Sequence, residues 1–106
     1  MGLKYRTYLN GTGIFCCKKC KTHLSSTDAI ISRQFQGQHG QAYLIKYVVN
    51  VDHGESEERN MITGLHTVRD IACSKCKTIV GWTYVKAVEE SQKYKEGKFI
   101  LEKALL

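Results

Sequence analysis

The chain has 106 residues, 42% of them hydrophobic, five cysteines, no proline and a formal net charge of +6. That length holds one domain, so residues 1–106 are read as a single unit. No apolar run approaches the roughly 18 residues of a membrane span, no apolar h-region follows Met1, and there is no polar tract or repeat of the kind that marks disordered or solenoid chains. A non-membrane protein of nucleus and cytoplasm is therefore expected, where five cysteines stay as thiols.

In chain order, Tyr5 to Leu9 reads as a short strand and Asn10-Gly11-Thr12-Gly13 as a turn. Ile14-Phe15 leads into a cysteine-rich run, and Ile30 to Phe35 reads as a weak strand broken by Gly37 and Gly40. Ala42 to Val51 is the clearest strand, because Tyr43, Ile45, Tyr47, Val49 and Val51 recur at period two. Asp52 to Asn60 is polar, carries three glutamates and reads as an exposed hairpin loop. Leu65 to Ala72 and Ile79 to Val88 read as strands, Ser91 to Gly97 as a charged connection, and Phe99-Ile100-Leu101 as a last strand or short helix. The pattern is all-β.

Two CxxC pairs stand out: Cys17 with Cys20, and Cys73 with Cys76. Two residues between thiolates allow a tight turn that aims both sulfurs at one metal, about 2.3 Å away for zinc. Two such turns complete a tetrahedron and leave no open position, so the site is structural. Between Cys20 and Cys73 lie 52 residues, so the metal pins distant parts of the fold together. Lys18, Lys19, Lys21, Lys75 and Lys77 flank the pairs. They offset the −2 charge of four thiolates around one zinc(II), which gives part of the basic excess a local role. Cys16 is left over, read as a small apolar residue, a reactive thiol or an alternative ligand; His23 is a further alternative ligand.

Several motifs together resemble the Yippee-like family: Phe15-x-Cys17-x-x-Cys20-x-x-His23-Leu24, Val48-Val49-Asn50-Val51, Thr63-Gly64-x-His66-x-Val68-x-Asp70-Ile71, Cys73-x-x-Cys76, Gly81-Trp82-x-Tyr84, and the run from Ser91 to Glu102. The core is placed at about residues 14–102 on that match. The resemblance implies a β-tent, two antiparallel sheets meeting at an angle and pinned by a four-cysteine zinc site. The run from His66 to Asp70 resembles the branch associated with the CTLH/GID ubiquitin ligase. This implies a non-enzymatic interaction module with ligase subunits as protein partners. In cereblon, which shares the fold, a comparable Gly-Trp-x-aromatic strand walls an aromatic cage. By that resemblance His66, Trp82, Tyr84 and Phe35 line a pocket for a cationic or imide-like group, unless the aromatics are simply core. Tyr94, Lys95 and Lys98 lie in a charged segment read as an exposed docking loop. Three alternatives stay open: a reader of small ligands or modified residues through the aromatic pocket, RNA or DNA binding through a basic face, and an enzyme of the methionine sulfoxide reductase type. The last is disfavoured because no cysteine outside the ligand set is well placed and no catalytic trio is visible.

Overall fold

A computed structural model of the chain describes Leu9 and residues 13–106. Most of the Tyr5–Leu9 strand and of the Asn10–Gly13 turn lies outside the described residues. The described strands are β1 (Ile14–Cys16), β2 (His23–Ser26), β3 (Ile30–Gly37), β4 (Gly40–Ile45), β5 (Val51–Met61), β6 (Gly64–Cys73), β7 (Ile79–Ala87) and β8 (Phe99–Glu102). Short 3-10 turns occupy Thr27–Ala29, Glu90–Lys95 and Lys103–Leu105. Among the described residues no helix is long and apolar enough to cross a membrane.

Strands β1 and β2 form a small antiparallel sheet, and the other six form a second sheet in the order β3-β4-β8-β7-β6-β5, antiparallel throughout. The all-β, two-sheet expectation is met. The large sheet is apolar on both faces because its central strands alternate between two cores. Tyr43 and Ile45 of β4 and Leu101 of β8 join Ile71, Val80, Cys73, Cys17 and Leu24 in a core shared with the small sheet. Ala42, Leu44 and Ile100 face the other way and join Val68, Trp82 and Tyr84. Simple alternation would put Val80 with Trp82 and Tyr84. It does not, because the β6–β7 register slips between Ile71 and Ala72, which pair with Gly81 and Ile79. The extra residue is a bulge that turns Val80 to the opposite face.

Two segments differ from the sequence expectation. The strand expected over Ala42–Val51 leaves the large sheet after Ile45. Residues 46–50 bond to the small sheet instead: Val49 N–H donates to the Leu24 carbonyl at 2.7 Å, and the Ser25 hydroxyl donates to the Tyr47 carbonyl at 2.7 Å. Asn50, at φ 59°, then turns the chain, and its side-chain amide donates to the His23 carbonyl at 2.8 Å. The polar segment Asp52–Asn60 is not a loop. It lies inside β5, an 11-residue edge strand whose one partner among the described strands is β6. An edge strand with solvent on both faces carries no apolar alternation, so its sequence reads as a loop.

Candidate functional site

The two CxxC pairs form twin turns. One follows β1 and leads to the small sheet; the other joins β6 to β7 in the large sheet. In each, the first cysteine's carbonyl accepts the N–H of the residue after the second cysteine: Lys21 to Cys17 at 2.7 Å, Lys77 to Cys73 at 2.8 Å. In each, the first cysteine's N–H donates back across the turn, to Thr22 and to Thr78, both at 2.8 Å. Lys21 and Lys77 each have φ 64°, the left-handed conformation that closes the turn.

The four Sγ atoms lie within 4.8 Å of one another. Cys17 and Cys76 are 3.6 Å apart, and Cys20 and Cys73 are 3.4 Å apart. Four sulfurs about 2.3 Å from one zinc stand roughly 3.8 Å from each other, so the quartet fits a tetrahedral ion. All-sulfur donors select zinc over hard cations. His23 and Cys16 are outside the quartet. His23 instead accepts the Leu9 N–H at 3.1 Å, and Cys16 is half-buried in β1 beside it.

Two hydroxyls escaped the sequence reading. Thr22 Oγ1 lies 3.1 Å from Cys20 Sγ, and Thr78 Oγ1 lies 3.2 Å from Cys76 Sγ. The signal was present, since both pairs sit in the pattern Cys-x-x-Cys-Lys-Thr. Burial opposes ionisation of Cys20, but bonds from the Thr22 hydroxyl and backbone and from the Cys73 and Cys76 thiols outweigh it, and the thiol falls to about 6. The Thr78 hydroxyl likewise lowers Cys76. Burial pushes Cys17 up to about 12. Without a cation the quartet cannot hold four negative charges; a divalent ion removes that restriction. Lys18, Lys19, Lys21, Lys75 and Lys77 are all exposed around the site, and Lys77 also pairs with Asp52 at 2.8 Å.

The opposite face of the large sheet carries a groove of about 540 Å³. Phe35 of β3, Met61 at the end of β5, Trp82 and Tyr84 of β7, and Lys95 of the β7–β8 connection line it. Phe35, Trp82 and Tyr84 thus line one groove. Trp82 and Tyr84 are core aromatics and groove walls at once. His66 does not line the groove. It is fully buried behind Tyr84, ring centroids 5.3 Å apart, with Nδ1 2.9 Å from the Gly64 carbonyl and Nε2 without a partner among the described residues.

The reading of Tyr94, Lys95 and Lys98 as one exposed loop is corrected. Tyr94 is exposed, but Lys95 is only 3% exposed. Lys98 is half-buried, and its carbonyl accepts the Thr83 hydroxyl at 2.9 Å and the Tyr84 N–H at 3.1 Å. Glu96 accepts the Ala87 N–H at 2.9 Å and Lys93 donates to the Ala87 carbonyl at 2.9 Å. These bonds fasten the connection against β7, which sequence alone does not reveal.

Two sheets held at their junction by a closed four-cysteine zinc site define a β-tent zinc protein. A family model described as Yippee zinc-binding/DNA-binding/Mis18, centromere assembly, matches residues 13–106. A putative yippee-like protein of rice (Oryza sativa subsp. japonica) is 56% identical over 93 residues, 88% of this chain and 78% of the relative. Human protein yippee-like 4 is 54% identical over 88 residues, 83% of this chain and 69% of that protein. The crystal structure of a Mis18 Yippee-like domain superposes with a TM-score of 0.68 over 87% of this chain and 89% of that one, at 17% identity. The chain belongs to the Yippee zinc-binding family.

Proposed function

We propose that the chain is a non-enzymatic, zinc-stabilised protein-interaction module of nucleus and cytoplasm, a subunit or adaptor of a ubiquitin ligase of the CTLH/GID type. One observation carries the non-enzymatic part: four cysteine sulfurs fill the tetrahedron, so the ion has no position for water or substrate. The groove, the other candidate centre, has no cysteine, serine or carboxylate in its lining, which leaves a sulfoxide reductase without a nucleophile there. The ligase assignment rests on the sequence resemblance of the His66–Asp70 run.

The test is gentle affinity purification from the source cells, with co-purifying proteins identified by mass spectrometry. A Cys73→Ser variant, which loses a ligand, is the control. Ligase subunits recovered with the wild type and absent from the variant support the adaptor role; a wild type that retains no ligase subunit overturns it.

A second reading, nucleic-acid binding, is favoured by the five exposed lysines gathered around the twin turns. It predicts an affinity for duplex DNA or RNA that falls steeply with salt and weakens when Lys18, Lys19 and Lys75 are changed to Gln.

A further inference from the structure

The groove over Trp82 holds a buried cation with no anion beside it among the described residues. Lys95 sits at its wall, 3% exposed, and its ammonium has three N–H donors. One reaches Thr63 Oγ1 at 3.2 Å. Three aromatic rings lie near it, with Nζ 5.1 Å from the Phe35 centroid, 5.3 Å from Tyr84 and 6.0 Å from Tyr94. Among the described residues no carboxylate lies within ion-pairing distance of it. Glu96, next in sequence, is bonded to the Ala87 N–H and pairs with Lys93 at 3.7 Å. The other cation in the lining, Arg59, is engaged by both Glu57 and Asp70. Desolvation lowers the pKa of Lys95, and no acidic neighbour offsets it.

The aromatic faces that would receive an external cation are thus already occupied by the protein's own ammonium. A cationic ligand would meet like charge, which argues against the cationic part of the sequence expectation and not against its imide-like part. The unmet demand in the groove is for an acceptor. Phe35, Met61 and Ile62 supply apolar wall, and the exposed Gln34, Gln36 and Gln38 supply amides. A volume of about 540 Å³ suits a small ligand or the last residues of a chain.

We propose that this groove binds a carboxylate carried on an apolar body, with Lys95 as its counter-charge. The carboxylate is that of a free organic acid or of a peptide C-terminus; the chemistry is shared. The inference is independent of the ligase assignment.

Trp82 is the sole tryptophan of the chain, so its fluorescence reports occupancy directly. The zinc-loaded protein is titrated with phenylacetate and phenylacetamide, and with acetyl-glycyl-phenylalanine bearing a free or an amidated terminus. Losing a charge-assisted bond weakens binding by about ten-fold or more. Each acid that binds is therefore expected to bind at least about ten-fold tighter than its amide. In Lys95→Met the acid and amide are expected to bind alike. Saturation by the small acid alone assigns a metabolite-type ligand, and saturation by the peptide acid alone assigns a chain terminus; either supports the site. Acid and amide binding equally to the wild type, or no saturable Trp82 response to any of the four, overturns it. The acid–amide comparison uses the wild type only, so it stands even if Lys95→Met fails to fold.

Discussion

Thr22 and Thr78 illustrate how a metal site is tuned by residues that do not touch the metal. Each hydroxyl lies against the second sulfur of its turn, at 3.1 and 3.2 Å. Hydrogen bonds to a thiolate favour the charged form and hold it in place for the ion. Thr22→Val keeps the shape and removes the bond, so the Cys20 thiol rises from about 6 and protons compete with zinc at higher pH. Zinc affinity is expected to fall by roughly 10–100-fold, with the acid-release midpoint moving up in pH. Competition with a chromophoric chelator across a pH series reads both. Lys95 gives the reverse case, a residue that costs stability where it stands. Its pKa in the fold is lower than in the unfolded chain, so folding opposes its charged form. The penalty is complete below the folded pKa and fades as pH rises toward the unfolded value of about 10.4. Lys95→Met retains the aliphatic stem and loses the charge. It is expected to be more stable by about 1 kcal/mol near neutral pH, the cation–π contacts offsetting part of the gain. Denaturant titrations near pH 7 and near pH 10 should show the advantage shrinking at the higher pH.

At the scale of elements, the groove depends on how β7 lies against β8. A Cβ on Gly81 would fall 1.7 Å from the Ile100 carbonyl oxygen, a contact neither backbone can yield to without opening the sheet. Gly81 also opens the Gly81-Trp82-x-Tyr84 stretch, paired with Leu101 and followed by Trp82 against Ile100. Gly81→Ala is expected to destabilise by about 3 kcal/mol and to displace Trp82. The checks are a thermal melt and the emission maximum of Trp82. What sequence reveals here follows what each element buries. The strands β6 and β7 are legible because their residues face cores, whereas the four residues of β8 are too few to separate a strand from a short helix. The cysteine quartet is legible because ligand spacing is set by the metal's own geometry. The twin Cys-x-x-Cys-Lys-Thr pattern held the threonines as well. Edge strand β5 is not legible, since only its end residues, Val51 and Met61, pack against a core and the polar stretch between them is largely exposed. Nor is Lys95, whose burial depends on the β7–β8 connection folding back onto β7, with Phe35 reaching it from the opposite end of the sheet. A lysine in the run Tyr94-Lys95-Glu96 carries no local mark of that.

For the molecule as a whole, the metal bridges what packing alone holds weakly. Cys17 and Cys20 belong to the turn leading from β1 toward β2, and Cys73 and Cys76 to the turn between β6 and β7. A two-stranded sheet is marginal by itself. The core it shares with the large sheet includes two of the ligands, Cys17 and Cys73. Zinc binding contributes on the order of 10–16 kcal/mol in small zinc peptides, against a total of roughly 5–15 kcal/mol for an ordinary domain. Removing the metal is therefore expected to unfold the chain and not merely release the small sheet. Trp82 separates these outcomes, because it lies in the second core, on the far side of the large sheet from Cys17, Leu24 and Cys73. Under a strong chelator and a reductant, global unfolding shifts the Trp82 emission to the red together with loss of the β-sheet circular dichroism, and zinc restores both. Detachment of β1 and β2 alone would leave Trp82 native while only part of the dichroism is lost, and that result would make the large sheet an independent folding unit. Cys16→Ser, whose sulfur lies outside the quartet, is expected to keep its zinc and its melting profile.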